Sequence, residues 1–282
     1  MVLLMEKEIF SKDLLIYHTK IIKMKNYFPK IDIIVEARTN SKRLPGKVLK
    51  KVCKKTLLEL MIERLKRIKF VRDIIVATTE LKTDDKIVAI AKKLNIKFFR
   101  GSTNDVLGRV LSAAKKFKTD IIVEITGDTP LVDPEISDLI IKFFLDNSHK
   151  FDYVSNDLGI HSKKYKMTSS LGLSTKVFFT KLLSEINLKT SNPMDREHVA
   201  NYIVKNYKKF KLYNYKVNKI VSRPDLRFTL DYKEDLLVIK KIYQEFYYTK
   251  PFFNSYDIIN FLDKNPNIKN LNKKCVQLSY NY

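Results

Sequence analysis

From residue 31 to about residue 156, short β-branched apolar runs alternate with stretches whose apolar positions recur at helical spacing. IDIIVEA (31–37), DIIVATT (73–79), IKFFRG (96–101), DIIVEIT (120–126) and FDYVSN (151–156) predict strands, each short and flanked by breaking residues. Between them TLLELMIERLKRI (56–68) places Leu57, Leu58, Met61, Ile62, Leu65 and Ile68 along one helical stripe. DDKIVAIAKKL (84–94), DVLGRVLSAAKKF (105–117) and EISDLIIKFFLDN (135–147) predict three more helices, the last opening at Asp133-Pro134. Strands joined through helices by short connections predict a mostly parallel sheet covered on both faces, a three-layer α/β/α fold. Ligands of such sheets bind beyond the carboxyl ends of the strands, so the loops after residues 37, 79, 101 and 126 are expected to face one cleft.

The pattern changes after residue 157. DLGIHSKKYKMTSSLGLSTKVF shows no core periodicity, and NPMDREHVANYIVKNY (192–207) reads as one capped helix. FKLYNYKV and LRFTLDY read as strands, and KEDLLVIKKIYQEFYY (233–248) as a helix. With no internal repeat and no low-complexity linker, the expected division is a 30-residue extension (1–30), one domain over 31–250 and a helical tail over 251–282.

Composition narrows the function. The 282 residues are 45% hydrophobic, ordinary for a globular chain, and carry a net charge of +23. That charge is 44 Lys against 10 Arg, spread over every segment. Dispersed lysine makes a solvated face, whereas nucleic-acid surfaces favour clustered arginine forks, so no nucleic-acid partner is expected and small anionic substrates are. Cys53 and Cys275 stand far apart and His18, His149, His161 and His198 do not cluster, which offers neither a disulfide framework nor a zinc site. No apolar run reaches bilayer length, and the opening MVLLMEKEIFSKDLLIY lacks the order of a signal peptide. A cytoplasmic protein is expected.

Two of the converging loops carry unusual residues. ARTNSKRLPGK (37–47) packs Arg38, Lys42, Arg43 and Lys47 around Pro45-Gly46, a stiff turn able to neutralise phosphate oxygens. It matches neither the P-loop nor the dinucleotide fingerprint. EITGDTPLVDPE (124–135) sets Asp128 directly after a strand, where a carboxylate can hold Mg²⁺ together with substrate phosphates. Asp231, at the end of LRFTLDY, is the second candidate ligand.

Taken in order, IIVEARTNSKRLPGKVL, DIIVATT, FFRGSTNDVLGR, ITGDTPLVDP, DYVSN, REHV and RFTLDYKEDL resemble the cytidylyltransferase family of the spore coat polysaccharide protein SpsF, related to CMP-Kdo and CMP-sialate synthetases. The resemblance spans roughly 31–247 and implies a nucleotide-diphospho-sugar transferase (GT-A-like) fold. It implies CTP with its triphosphate on the loop 38–47, which includes Asn40 and Ser41, held by Arg38, Arg43 and Lys47. Base and ribose would meet Ala37, Thr78 and the turn running from Arg100 through Gly101 and Ser102 to Asp105. Asp128 and Asp231 match the family's Mg²⁺ carboxylates, and Asn156, Arg196 and His198 fall where an acceptor is expected. The 157–200 segment lies where relatives build a dimer arm that closes the acceptor pocket, so a homodimer is expected.

The chain also departs from the family pattern. Glu36 stands where Gln or Pro is usual, Asn40 where Gly is common, and Tyr232-Lys233 replaces Thr-Pro. The stretch MTSSLGLSTKVF has none of the acids that relatives carry after their DYVSN-like strand, which implies a different acceptor. The first 30 residues have no counterpart, and Met24 is an alternative start. The expected reaction is attack of an acceptor oxygen, from a sugar or a phosphorylated cell-surface precursor, on the α-phosphorus of CTP. A guanylyl- or other nucleotidyltransferase acting on a sugar 1-phosphate is one alternative, and a non-catalytic nucleotide-binding or basic scaffold protein is another. GDTP lacks the second Asp of the DxD motif expected of a glycosyltransferase on a similar fold.

Overall fold

A computed structural model describes residues 28–162 and 164–277. The chain from Ile31 onward forms one unit. Its centre is a seven-stranded sheet: β1 (Ile31–Glu36), β4 (Asp73–Thr79), β5 (Lys97–Gly101), β6 (Ile121–Thr126), β7 (Tyr153–Ser155), β8 (Lys176–Phe179) and β9 (Leu212–Asn214). A separate two-strand hairpin, β2 (Lys51–Val52) with β3 (Lys55–Thr56), precedes the first helix. The strand order is β5-β4-β1-β6-β8-β7-β9, parallel except for β8, which runs against both its neighbours. The three-layer, mostly parallel architecture expected from the sequence is therefore present.

Each central strand is buried on both faces, which explains its unbroken apolar run. Ile33 and Val35 of β1 face one layer, with α1 (Leu57–Leu65), α2 (Asp85–Lys93) and α4 (Pro134–Asn147). Ile34 faces the other, with α3 (Val106–Phe117), α6 (Thr180–Asn187) and α8 (Asn201–Lys205). A third cluster covers the outer side of α1, where Leu57 and Leu60 meet Val238, Ile239 and Ile242 of α9 (Lys233–Phe246). Ile258, Ile259 and Leu262 of α10 (Ser255–Lys264) join it, and the short α11 (Pro266–Lys269) follows.

Helix starts follow local chemistry. Thr56 and Glu59 form a reciprocal capping box on α1, in which Glu59 Oε2 accepts from Thr56 N at 2.7 Å. Asp105 caps α3 through Gly108 N at 2.8 Å, and Asp133 caps α4 through Glu135 N at 3.0 Å.

Three stretches differ from the expectation. STKVF, read as aperiodic, contains β8; Lys176 interrupts its apolar pattern because it is buried against Glu124 of β6 at 2.8 Å. The single helix expected over 192–207 is two, α7 (Pro193–Glu197) and α8, because His198 is extended at φ −119°, ψ 100°. LRFTLDY forms no strand. It runs as an extended loop whose N–H donors reach elsewhere, Phe228 N to Leu171 O at 2.6 Å and Leu230 N to Asp128 O at 2.8 Å. The short α5 (Leu158–His161) completes the α-helices among the described residues.

Candidate active site

The chain runs from β1 outward through β4 and β5, then returns to β6 on the other side of β1, so the order reverses between β1 and β6. In open α/β sheets that switch point, beyond the carboxyl ends of the strands, is where the binding crevice forms. Its two walls are stitched together where Gly127 N donates to Glu36 O at 2.8 Å. A Cβ on Gly127 would lie 2.5 Å from that same carbonyl oxygen, so the close approach excludes any side chain.

The basic loop after β1 is a built turn. Ser41 N and Gly46 N both donate to Thr39 O at 2.9 Å, and Gly46 adopts the left-handed conformation at φ 65°. Thr39 itself is anchored by buried Asp84, which accepts from Thr39 N at 2.8 Å, Thr39 Oγ1 at 2.6 Å, Thr78 Oγ1 at 3.1 Å and Thr79 Oγ1 at 2.5 Å. Burial opposes the Asp84 charge, but the donors from Thr39, Thr79 and Thr78 hold its carboxyl below the usual range. Asn40, Lys42 and Arg43 are exposed at the mouth, whereas Lys47 points inward.

The innermost part of the crevice is a charge cluster. Lys47 Nζ donates to Asp128 Oδ2 and to Asp231 Oδ1, each at 2.9 Å. Arg43 reaches the same Asp231 oxygen at 2.8 Å, and Arg227 takes the other, Oδ2, at 3.0 Å. Burial disfavours the Asp128 charge, yet the Lys47 ammonium lowers its pKa to about 2; the two carboxylates reciprocally raise that of Lys47. The Leu230–Asp128 backbone bond docks the second carboxylate loop on the first.

Of the other expected site residues, Ala37 is buried with its N–H on Ala77 O, and Thr78 is committed to Asp84. Arg38 donates to Thr103 O at 3.1 Å and pairs with Glu197. Arg100 is spent within the fold, on Thr79 O at 3.0 Å, Leu81 O at 2.8 Å and Asp85 at 2.5 Å. Gly101 closes β5, and Ser102 Oγ accepts from Asp105 N at 3.1 Å. Asp105 pairs with Arg196, so α7 docks on the loops after β1 and β5 through two ion pairs, Arg196–Asp105 and Glu197–Arg38. Asn156 is buried, with both ends of its amide bonded to the backbone, at Leu173 O and Thr175 N, each 2.9 Å away. His198 donates its backbone N–H to Met194 O at 3.0 Å, at the break between the two short helices.

Five residues of this region escaped the sequence reading: Asp84, Glu197, Arg227 and the buried pair Glu124–Lys176. Nothing local marks them, because each also depends on a partner distant in sequence: Thr39 for Asp84, Arg38 for Glu197, Gln277 for Arg227, and Glu124 and Lys176 for each other. Glu36, noted in the sequence as a departure from the family pattern, sits beside Glu124 and Lys176. Burial and the neighbouring Glu124 push its carboxyl well above the ordinary range, favouring the neutral acid. A neutral glutamic acid has the shape of a glutamine, one of the two residues that the resemblance leads one to expect here.

A model of the family described as cytidylyltransferase matches residues 33–254. The chain belongs to the cytidylyltransferase family. It is 39% identical to an uncharacterized protein of Methanocaldococcus jannaschii over 89% of this chain and 98% of that one. The spore coat polysaccharide biosynthesis protein SpsF of Bacillus subtilis is 30% identical over 83% of this chain and 94% of its own length. Among solved structures, a cytidylyltransferase from Leptospira borgpetersenii superposes with a TM-score of 0.80 at 35% identity, covering 90% of this chain and 100% of that one. This cytidylyltransferase is therefore an enzyme of nucleotidyl transfer with the nucleotide-sugar transferase-like fold expected from its sequence. No helix among the described residues is long and apolar enough to cross a membrane.

Proposed function

We propose that the protein transfers CMP from CTP to an oxygen of a small sugar or phosphorylated acceptor, releasing pyrophosphate with the help of Mg²⁺. The observation that carries this reading is the shared position of Lys47 Nζ, 2.9 Å from both Asp128 and Asp231. In the crevice of the protein alone, cations suited to a triphosphate and carboxylates suited to a metal neutralise one another. When the nucleotide enters, Lys47 and Arg43 turn to the phosphates and the two carboxylates are released together.

The donor set fits Mg²⁺. Asp128 and Asp231 offer hard oxygens that converge on one ammonium-sized point, and Mg²⁺ is held by one or two carboxylates plus substrate phosphates. No group of three or more His, Cys, Asp or Glu side chains able to hold a metal occurs among the described residues. The remaining ligands would come from substrate and water. Bound there, the metal would supply charge neutralisation at the α-phosphate.

The other steps belong to the chain. The stiff turn of residues 39–47 aims backbone and cationic donors at the β- and γ-phosphates, so the leaving pyrophosphate is stabilised as its charge develops. Ala37, Thr78 and the turn 100–105 enclose base and ribose. An acceptor oxygen forms its bond to the α-phosphorus as the bridging bond to the β-phosphate breaks, and the acceptor proton passes to solvent. Positioning and charge neutralisation supply the rate enhancement. Arg196 and His198 lie at the acceptor side in this reading, Asn156 supports the acceptor wall from below, and a homodimer forms through the 157–200 segment. The reduced thiols of Cys53 and Cys275 suit a cytoplasmic site of action, and the SpsF relative supports a role in making activated precursors for surface polysaccharide.

The test is pyrophosphate release from each nucleoside triphosphate with Mg²⁺ and a panel of acidic sugars and phosphorylated polyols. The expected result is release with CTP and one acceptor class. Preference for GTP with a sugar 1-phosphate would overturn the assignment of the nucleotide. Silence with every nucleotide and acceptor, in protein that binds CTP, would overturn the assignment of the reaction.

A further inference from the structure

The family match ends at residue 254, yet the chain continues into a segment that closes around the back of one site carboxylate. Asp231 is 2% exposed and held from two sides. Its Oδ1 meets Lys47 and Arg43 in the crevice, and its Oδ2 meets Arg227, itself 9% exposed, from behind. Arg227 owes its orientation to three further hydrogen bonds, to two partners. Asp235, at the start of α9, takes Nε at 2.8 Å and one terminal nitrogen at 3.2 Å. Gln277 Oε1 takes the other terminal nitrogen at 2.9 Å.

Asp235 also accepts from the backbone N–H groups of Asp231, at 2.9 Å, and Tyr232, at 3.0 Å, so it fixes the main chain that carries the site carboxylate. Beyond α11, buried Asn272 donates to Arg227 O and to Asp235 Oδ1, both at 3.0 Å. Tyr232, whose ring lies beneath the guanidinium groups of Arg43 and Arg227, donates its hydroxyl to Val276 O at 3.3 Å. The links from Asn272, Val276 and Gln277 end on Arg227, Tyr232 or Asp235, and Cys275 Sγ lies 3.9 Å from Glu234 Oε2.

We propose that the 266–277 segment is a strap that positions Asp231, with Asn272 and Gln277 as its positioning residues, and that it thereby sets the affinity of the site for a divalent cation. The inference rests on the metal role of Asp231 given above. The physical argument is that a carboxylate buried among three cations has several competing partners. With Oδ2 locked to Arg227, Oδ1 is presented to the crevice, where a cation can exchange with Lys47. Without the strap, Arg227 gains freedom to follow Asp231, and a bidentate Arg–Asp pair would withdraw both oxygens from the crevice. Partners that orient a metal ligand from behind are worth about 10- to 100-fold in metal affinity.

The experiment uses the full chain with Asn272→Ala and, separately, Gln277→Ala, the second near the chain end where loss of fold is not at issue. Mn²⁺ binding is read by electron paramagnetic resonance with CTP present, CTP binding by calorimetry without metal, and amide exchange over 227–235 by mass spectrometry. The expected result is Mn²⁺ binding about 10-fold weaker in Asn272→Ala, a smaller loss in Gln277→Ala, unchanged metal-free CTP affinity and faster exchange at residues 231–232. Equal Mn²⁺ affinity in wild type and Asn272→Ala would overturn the strap. A wild-type enzyme that takes up no Mn²⁺ with CTP would overturn the metal role of Asp231, and the inference with it. The wild-type signal separates that failure from the first.

Discussion

Replacing Lys47 by Met is the most informative single change, because it removes the charge and keeps most of the volume. Lys47 is the largest favourable influence on Asp128, whose carboxyl it holds at about 2 against an ordinary 3.8. A difference of just under two units corresponds to about 2 kcal/mol of interaction between the ion and its surroundings. The Asp128 side chain is 26% exposed, so water screens part of this, and about 1–2 kcal/mol is expected to disappear from the stability at pH 7. The sign follows from the direction of the shift. A depressed carboxyl pKa contributes stability that is complete above the unfolded value near 4 and is lost as pH falls through the folded value near 2. The wild-type advantage over Lys47→Met should therefore be constant from neutral pH to about 4 and shrink between 4 and 2. Urea denaturation at a series of pH values measures it, and carbon-13 NMR of the aspartate carboxyls should show Asp128 titrating at or above its ordinary value in the variant. The same substitution leaves two facing carboxylates without their shared ammonium, so divalent cations should bind the nucleotide-free variant about tenfold more tightly, for about 1.4 kcal/mol. An Asp128 that still titrates near 2, or a stability difference independent of pH, would refute the argument.

Three further outcomes are expected. Asp128→Asn should retain the fold, since the residue lies on a loop after β6, while losing most Mg²⁺-dependent pyrophosphate release; near-normal turnover would remove Asp128 from the site. Lys176→Met should destabilise the protein by about 3–5 kcal/mol in thermal unfolding, because it removes the ion-pair partner of Glu124 in a buried cluster where Glu124 Oε2 and Glu36 Oε1 already have no hydrogen-bond partner. A loss below about 1 kcal/mol would show that the cluster is hydrated or uncharged. Arg196→Ala should free α7 from Asp105 and raise the KM for the nucleotide or the acceptor with little change in melting temperature, and light scattering on the same samples reports whether the expected dimer forms. Unchanged kinetics in a monomeric protein would reduce α7 to packing.

Much of this enzyme was fixed by local sequence. The β-branched runs of β1, β4 and β6 name themselves because both faces of a parallel sheet are apolar, and the capping residues Thr56, Asp105 and Asp133 mark the helices that follow. The cationic turn 38–47 and the acidic turn at Asp128 could be placed in one crevice from alternation alone, since parallel strands deliver their carboxyl ends to the same edge. Tertiary structure decided what those residues do to one another. Lys47 and Asp231 are 184 residues apart, and they meet where the Asp231 loop docks on the Asp128 loop, with Leu230 N bonded to Asp128 O. β8 was hidden because Lys176 breaks the apolar alternation that reveals a strand, and its burial is tolerable only beside Glu124, on another strand. Arg100 shows the same limit: its position in the sequence does not reveal that its guanidinium bonds Thr79, Leu81 and Asp85. Periodicity records which side of an element meets the core, a property of neighbouring residues. The pairing of charges across loops depends on distances that exist only once the chain has folded.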